Sequence, residues 1–503
     1  MYNKANLIFI WEEILRMKFL TAKRSLALLL SLLMLLGVMF TAVSCATQGD
    51  DPAGTTGQNT ESQETETELA YNTVPKQDYG RDFSILTRDD TLEQFEVEEL
   101  TGDLLDDAIY ERNATVANDF GIEFVYSNMS YDQVLNEMKI QVSGNMSDYD
   151  LYTGHKFAFS SCAQPGYLYN LATIDTMDLT QPWWDQNCLT NLTIDGKTYL
   201  ITGDIDPASM LISSCLVFNK KMMTELGKSV DELNELTDNG GWTLDKMYEY
   251  GKDVTFDLNG DGKIEYTSDR FNLTSWMMDV PYSMYYGANG NFVTIVDGTP
   301  ELTYSAEQVT NIYEKIYKII AEQNAYYVTV HADYATTYEV FHAGRAMFCD
   351  ITLSKITGFI SDMEDPYGIL PMPKYDEHQP EYLSFVNGAT PFVMVAKTVD
   401  DPDFVGTILE AMATYNYDNV TPKLFEVSTK LQAAQDPASA AMVDYIVRNR
   451  IWDLGYYADW AITNLVRLNL EAGKSEIASD LKKQESAASR GLRTLLKNYE
   501  KHK

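Results

Sequence analysis

Oxygen-bearing side chains at alternate positions form the strongest local chemical pattern in the chain. They are Asp257, Asn259 and Asp261, followed by Gly262, with Lys263 seventh in the loop and Ser268 and Asp269 at its far end. Hard cations take oxygen ligands. A loop with carboxylate or amide oxygens at positions one, three and five, glycine at six and a backbone carbonyl at seven is the turn that wraps calcium. The spacing predicts a structural Ca2+ on Asp257, Asn259, Asp261 and the Lys263 carbonyl. Asp269 stands in for the usual glutamate because the twelfth position is Ser268. The competing reading is a solvated Asx/Gly turn, and the single copy argues against a paired-loop module.

The remaining reactive groups form no catalytic pattern. There is no HExxH and no GxSxG, and Gly196-Lys197-Thr198 and Gly473-Lys474-Ser475 lack the upstream glycine of a phosphate-binding loop. The five histidines are scattered, and Cys162, Cys188, Cys215 and Cys349 lack zinc-site spacing, so disulfides and buried free thiols both stay open. With 74 Asp and Glu, a carboxylate pair spaced for glycoside hydrolysis also stays open, but a non-enzyme is expected. A net charge of −36 excludes nucleic acid as a partner, because binding it requires a basic face.

Cys45 is the residue whose context is most telling. Lys18, Lys23 and Arg24 precede an apolar run from Leu26 to Phe40, and Thr41-Ala42-Val43-Ser44 lead into the cysteine. A basic flank, a short apolar segment and small residues before a cysteine describe an export signal that ends at a lipidated thiol. Residues 1–44 are therefore read as a signal peptide, with Met17 the expected start. The segment resembles bacterial lipoprotein signals, with Ala42 where leucine is commonest; an uncleaved anchor is the alternative. Residues 45–76 follow as the lipidated cysteine and a polar tether, too poor in apolar groups to offset ordering entropy.

Residues 77–503 exceed the size at which one core keeps growing, so two lobes are expected. Phe83–Thr87 has the character of a strand, and Leu105, Ala108, Ile109, Val116 and Phe120 recur at helical spacing up to Gly121. Ile122, Phe124 and Tyr126 alternate as a second strand. A helix from Asp132 to Val142 and a strand at Tyr149–Thr153 complete β-α-β-α-β, the unit of a helix-covered parallel sheet. Ligands gather beyond the carboxyl ends of such strands, here Arg88-Asp89 and Thr153-Gly154-His155.

Six phrases then occur in order: Asp107–Asn113, Pro182-Trp183-Trp184-Asp185, Phe218-Asn219-Lys220, Gly241–Met247, Phe341–Met347 and Tyr367–Pro373. Together they resemble the extracellular solute-binding lipoproteins of bacterial ABC importers, the family 1, carbohydrate-type receptors common in Gram-positive anaerobes. The resemblance implies an α/β, two-lobed periplasmic-binding-protein-like fold with a hinge, each lobe a mostly parallel sheet flanked by helices. It also implies a monomer, lipid-anchored on the extracytoplasmic face of the cell membrane, that hands its solute to ABC permease subunits. Locally, Asn219 is expected to cap a helix, Thr243 to be an N-cap and Trp242 to pack; one of Trp183 and Trp184 is expected to face the cleft.

Aromatic rings stack on sugar faces, while Asp, Asn and Arg satisfy hydroxyls. The candidate ligand contacts are Arg88, Asp89, His155, Trp183, Asp204, Trp276, Asp350, Asn387 and Trp452. An oligosaccharide is the expected solute. A peptide or amino-acid-like solute, and a surface-anchored glycoside hydrolase, are the alternatives.

Overall fold

The structure, a computed structural model, describes residues 69–433 and 437–502. The expected signal peptide, Cys45 and most of the tether lie outside these residues. The first described element is a 3-10 turn, Ala70–Thr73, within the segment expected as tether. Tyr71 explains this: it is buried, its ring meets Tyr415 edge-on at 5.2 Å, and its hydroxyl donates to Asp119 at 3.0 Å. Among the described residues no helix is long and apolar enough to cross a membrane.

The first sheet grows from the predicted alternation. Strand β1 (Arg81–Arg88) leads to the helix Leu104–Phe120, then β2 (Ile122–Met129), the helix Tyr131–Gly144 and β3 (Leu151–Gly154). Asp103 starts the first helix by accepting from the amides of Leu105 and Asp106. Gly121 ends it at φ 60, where a Cβ would stand 1.9 Å from the Asp78 carboxylate, so only glycine fits. β1 and β2 pair in parallel from Arg81↔Ile122 to Arg88↔Met129, which brings both carboxyl ends to one edge.

The second sheet uses β4 (Ser214–Asn219) and β5 (Phe271–Trp276), with β6 (Val293–Val296) and β7 (Thr299–Leu302) forming a separate hairpin. It continues with β8 (Tyr326–Val328), β9 (Ala346–Thr352) and β10 (Tyr367–Leu370), in the order β10-β4-β9-β5-β8. β9, β5 and β8 are parallel, and β4 runs antiparallel to both of its neighbours, β10 and β9, so four of the five strands point one way and β4 alone is reversed. β4 is reached from the first lobe through the short 3-10 helix Pro207–Leu211, not by a helix lying over the sheet, so no right-handed crossover fixes it parallel to β9.

The chain then passes back. β11 (Ser384–Phe385) lies beside the second sheet, where the Ser384 hydroxyl donates to the Ser214 carbonyl at 2.6 Å. β12 (Phe392–Met394) joins the first sheet, order β12-β3-β1-β2, antiparallel to β3. β13 (Arg450–Ile451) pairs with β11. Two of the crossings, 205–213, which holds the 3-10 helix Pro207–Leu211, and 386–391, meet at the Ser213↔Val386 bridge and an Asn387 amide bond to the Ile212 carbonyl at 3.2 Å; a third, between β12 and β13, carries the helix Thr421–Ala433. These crossing segments form the hinge.

Local expectations of packing and capping are met. Trp242 is fully buried, with its indole N–H on the Pro371 carbonyl. Asn219 caps the helix Lys220–Glu225, and Thr243 caps Leu244–Gly251. Cys162, Cys188, Cys215 and Cys349 are all buried free thiols; burial pushes Cys162 up to about 12, which leaves it unreactive.

Candidate functional site

The carboxyl ends of β1 and β3 meet the hinge at Arg88. Its side chain is 4% exposed, its Nε donates to Asp90 at 2.8 Å, and one terminal nitrogen donates to the carbonyls of Ala389 at 2.7 Å and Gly154 at 3.3 Å. His155 follows Gly154. Its Nδ1 accepts from the Phe157 amide at 3.1 Å, which places the ring proton on Nε2. Burial, reinforced by Arg88, holds His155 down to about 4, so the ring is neutral near pH 7. It lies 4.1 Å from the half-exposed ring of Tyr131, which begins the helix after β2. Lys156 donates its amide to Gly388 at 3.0 Å and rests its ammonium over Tyr456 at 4.4 Å, giving this side an aromatic and cationic face.

The second lobe answers from the end of β5. Trp276 is half-buried, with His331 at 5.3 Å, Tyr334 at 5.6 Å and the Lys355 ammonium 5.6 Å above the ring. Its indole N–H has no protein partner. Asp279 accepts from Asn387 and stands 3.6 Å from Lys355, whose ammonium also donates to the Tyr338 hydroxyl at 3.1 Å. A continuous chain of contacts therefore runs from Arg88 through residues 387–389 to Asp279, Lys355 and Trp276. Both aromatic groups flank it. Four of the nine expected contacts come together here: Arg88, His155, Trp276 and Asn387. Asp89 stands exposed beside Arg88, its amide on the Met129 carbonyl at 2.9 Å.

Asp350 lies inside β9, behind this face. Its oxygens take the hydroxyls of Ser275 at 3.0 Å and Ser283 at 2.7 Å, tying β5 to the helix Val280–Gly287. Burial and then the charge of Asp279 push it up to about 7. Trp452 is 2% exposed and wedged between Phe392 at 5.6 Å and Tyr457 at 5.1 Å. Trp183 and Asp204 lie in a separate cavity of about 550 Å³ on the hinge. Trp183 and Trp184 are both buried, and both indoles donate to Glu410, at 2.6 and 3.1 Å, so neither stands free in the cleft.

Asp206 was not legible in the sequence, where Asp-Pro reads only as a turn. It sits on the first crossing, 1% exposed, with neither carboxylate oxygen in a well-formed hydrogen bond. Burial pushes it up to about 7 against the pull of Arg88, the nearby Ser209 amide and Arg112. An ionised carboxylate only accepts, so this group is short of donors. Asp279, Lys355, Tyr131 and Tyr334 were missed because each becomes informative only through its neighbours.

In the loop 257–269, both Asp257 oxygens accept backbone amides, from Gly260 and Gly262, each at 2.7 Å. Asp269 accepts from Leu258 at 2.9 Å and Glu265 at 2.7 Å, and Lys263 donates its amide to Asp261 at 2.9 Å. Asx-type bonds thus close the loop, and each carboxylate oxygen keeps a second lone pair. Among the described residues no group of three or more His, Cys, Asp or Glu converges as a metal site.

Two α/β lobes joined at a hinge, with aromatic and hydrogen-bonding side chains facing the seam, define a receptor that takes a solute between its lobes. Residues 112–426 match the family of bacterial extracellular solute-binding proteins, and the chain belongs to it. No curated protein matches the chain in sequence. Among solved structures, it is similar to the galacto-N-biose-/lacto-N-biose I-binding protein of a Bifidobacterium longum ABC transporter: 12% identity, 83% of this chain, 98% of that one, TM-score 0.55. The cyclic alpha-maltosyl-1,6-maltose binding protein of Arthrobacter globiformis is similar at 14% identity over 82% and 98%, TM-score 0.53. An ABC substrate-binding protein from Listeria monocytogenes, in complex with cycloalternan, is similar at 12% over 82% and 98%, TM-score 0.51. At these identities the likeness is one of fold.

Proposed function

We propose that this protein is a lipid-anchored extracellular receptor of an ABC importer that captures an oligosaccharide between its lobes and delivers it to the permease without turning it over. The observation that carries the reading is the half-buried Trp276 with an unpartnered indole N–H, backed by Tyr334 and His331 and faced by hydrogen-bonding groups at the hinge. A sugar ring offers what this arrangement lacks. Its C–H face covers an indole, and its hydroxyls accept from Lys355 and donate to Asp279 and, once the lobes rearrange, reach the enclosed Trp276 N–H and Asp206. The oligosaccharides named for the solved structures of similar fold support the same class. Cys45 is the proposed lipidation site and the tether the spacer; a monomer is enough, because both walls of the cleft come from one chain. A structural Ca2+ in the loop 257–269 belongs to the same proposal.

A glycan array, with peptides as the comparison set, tests the ligand class. Reversible glycan binding with no cleaved product is expected, and X-ray scattering should show a smaller radius of gyration with ligand, since contacts to both lobes favour the closed state. Stabilisation by peptides and by no glycan refutes the carbohydrate class. A cleaved product refutes the transport role.

A further inference from the structure

The hinge carries a second cavity. Its volume is about 550 Å³, within the usual range for small-molecule sites, and its walls come from both lobes. Trp183 and Tyr417 supply an aromatic wall from the first lobe, their rings edge-on at 6.1 Å, with Tyr417 41% exposed. Arg450 enters from β13, which pairs with β11 beside the second sheet. Its side chain is 9% exposed and pairs with Asp185, at 2.8 Å and 2% exposed; among the described residues its Nε–H has no partner. Asp204 accepts from Thr421 and Asp418 accepts the Tyr71 amide at 2.8 Å, each through one oxygen, leaving the other available.

We infer that this cavity is a second carbohydrate site, sized for a single sugar unit and distinct from the cleft at Trp276. The chemistry selects the class. An anion would meet the carboxylates of Asp185, Asp204 and Asp418, and a cation would meet Arg450 and leave its Nε–H unanswered. A neutral polyhydroxylated ring does neither. One hydroxyl accepts from the Arg450 guanidinium, others donate to Asp204 and Asp418, and the apolar ring face lies on Tyr417 and Trp183. Burial pushes Asp204 up to about 7, and hydroxyl donors reaching it would bring that value down. Because the walls belong to both lobes, a sugar here favours one hinge angle, and its binding is reciprocally coupled to binding in the cleft. The inference stands on the pocket alone and does not require the cleft to bind sugar.

Calorimetric titration of D-glucose, D-galactose, D-mannose and N-acetyl-D-glucosamine into wild type, Tyr417→Ala, Arg450→Lys and Trp276→Ala tests it. Tyr417 is exposed enough to truncate without opening the core, and Arg450→Lys keeps a positive charge beside Asp185. At least one sugar should bind wild type and Trp276→Ala alike, and about tenfold or more weakly in Tyr417→Ala and Arg450→Lys. Binding by none of the four, or binding unchanged in Tyr417→Ala, overturns the second site. Loss confined to Trp276→Ala overturns it too and assigns the sugar to the cleft.

Discussion

Replacing Asp206 with asparagine separates what this buried carboxylate does to the fold from what it does for the ligand. The ordinary carboxyl value is 3.8 and burial raises Asp206 to about 7. At about 1.4 kcal/mol per pH unit, the gap of about 3 pH units makes the ionised form about 4 kcal/mol less favourable in the folded state than in the unfolded one. The sign follows from the raised value. Below about pH 4 the group is protonated in both states and no penalty exists; the penalty grows as pH rises from about 4 to about 7 and is constant above that. Asparagine has the same shape and no charge, so it removes a penalty of about 4 kcal/mol at about pH 8 and about 2 kcal/mol at about pH 5. Unmet hydrogen bonds of the amide subtract about 1–3 kcal/mol at either pH, so the change in the variant's advantage between the two, about 2–3 kcal/mol, is free of that uncertainty. Urea unfolding of wild type and Asp206→Asn at both pH values reads it directly, while sugar affinity at neutral pH should fall because the carboxylate acceptor is gone. A stability difference that does not change with pH, or a variant that loses ground at the higher pH, would refute the unsatisfied-carboxylate argument.

Trp276→Ala should weaken binding of the cleft sugar by about 1–3 kcal/mol, or about 5- to 150-fold, with thermal stability little changed; an unchanged Kd removes Trp276 as the platform. If calcium occupies the loop 257–269, a hundredfold excess over Kd raises stability by about 2.7 kcal/mol, so chelator should lower Tm and Asp261→Ala should abolish that response. Superimposable melting curves with calcium and with chelator would leave only a self-closed turn. Cys45→Ala should release the protein into the medium or leave an uncleaved precursor; a processed, membrane-bound mutant argues against lipidation.

Local order was legible because its causes lie within a few residues. The alternation of Ile122, Phe124 and Tyr126, the helix stopped by Gly121 and the caps at Asn219 and Thr243 are each fixed by side-chain period, backbone freedom or a hydrogen bond to the next turn. Arg88 and His155 could be nominated because a parallel β-α-β-α-β unit sends its strand ends to one edge. Asp350, Trp452 and Trp183 carried the same residue types, yet burial against Ser275 and Phe392 turned the first two inward, and Glu410 holds Trp183 at the hinge cavity instead of the cleft.

The sequence by itself determined the family, the α/β class, an acidic body without a catalytic motif, and the expectation of an exported, anchored chain. These depend on composition, on order along the chain and on short-range periodicity. Only the tertiary structure decided that residues 387–389 link the two lobes, Asn387 reaching Asp279 more than 100 residues away and the Ala389 carbonyl taking Arg88 from about 300 residues away, that Asp206 is buried and short of donors, and that Asp204 lines a hinge cavity rather than the cleft. Those outcomes depend on which distant backbone closes over a side chain. Desolvation and hydrogen-bond supply belong to that enclosure, and no spacing along the chain encodes them.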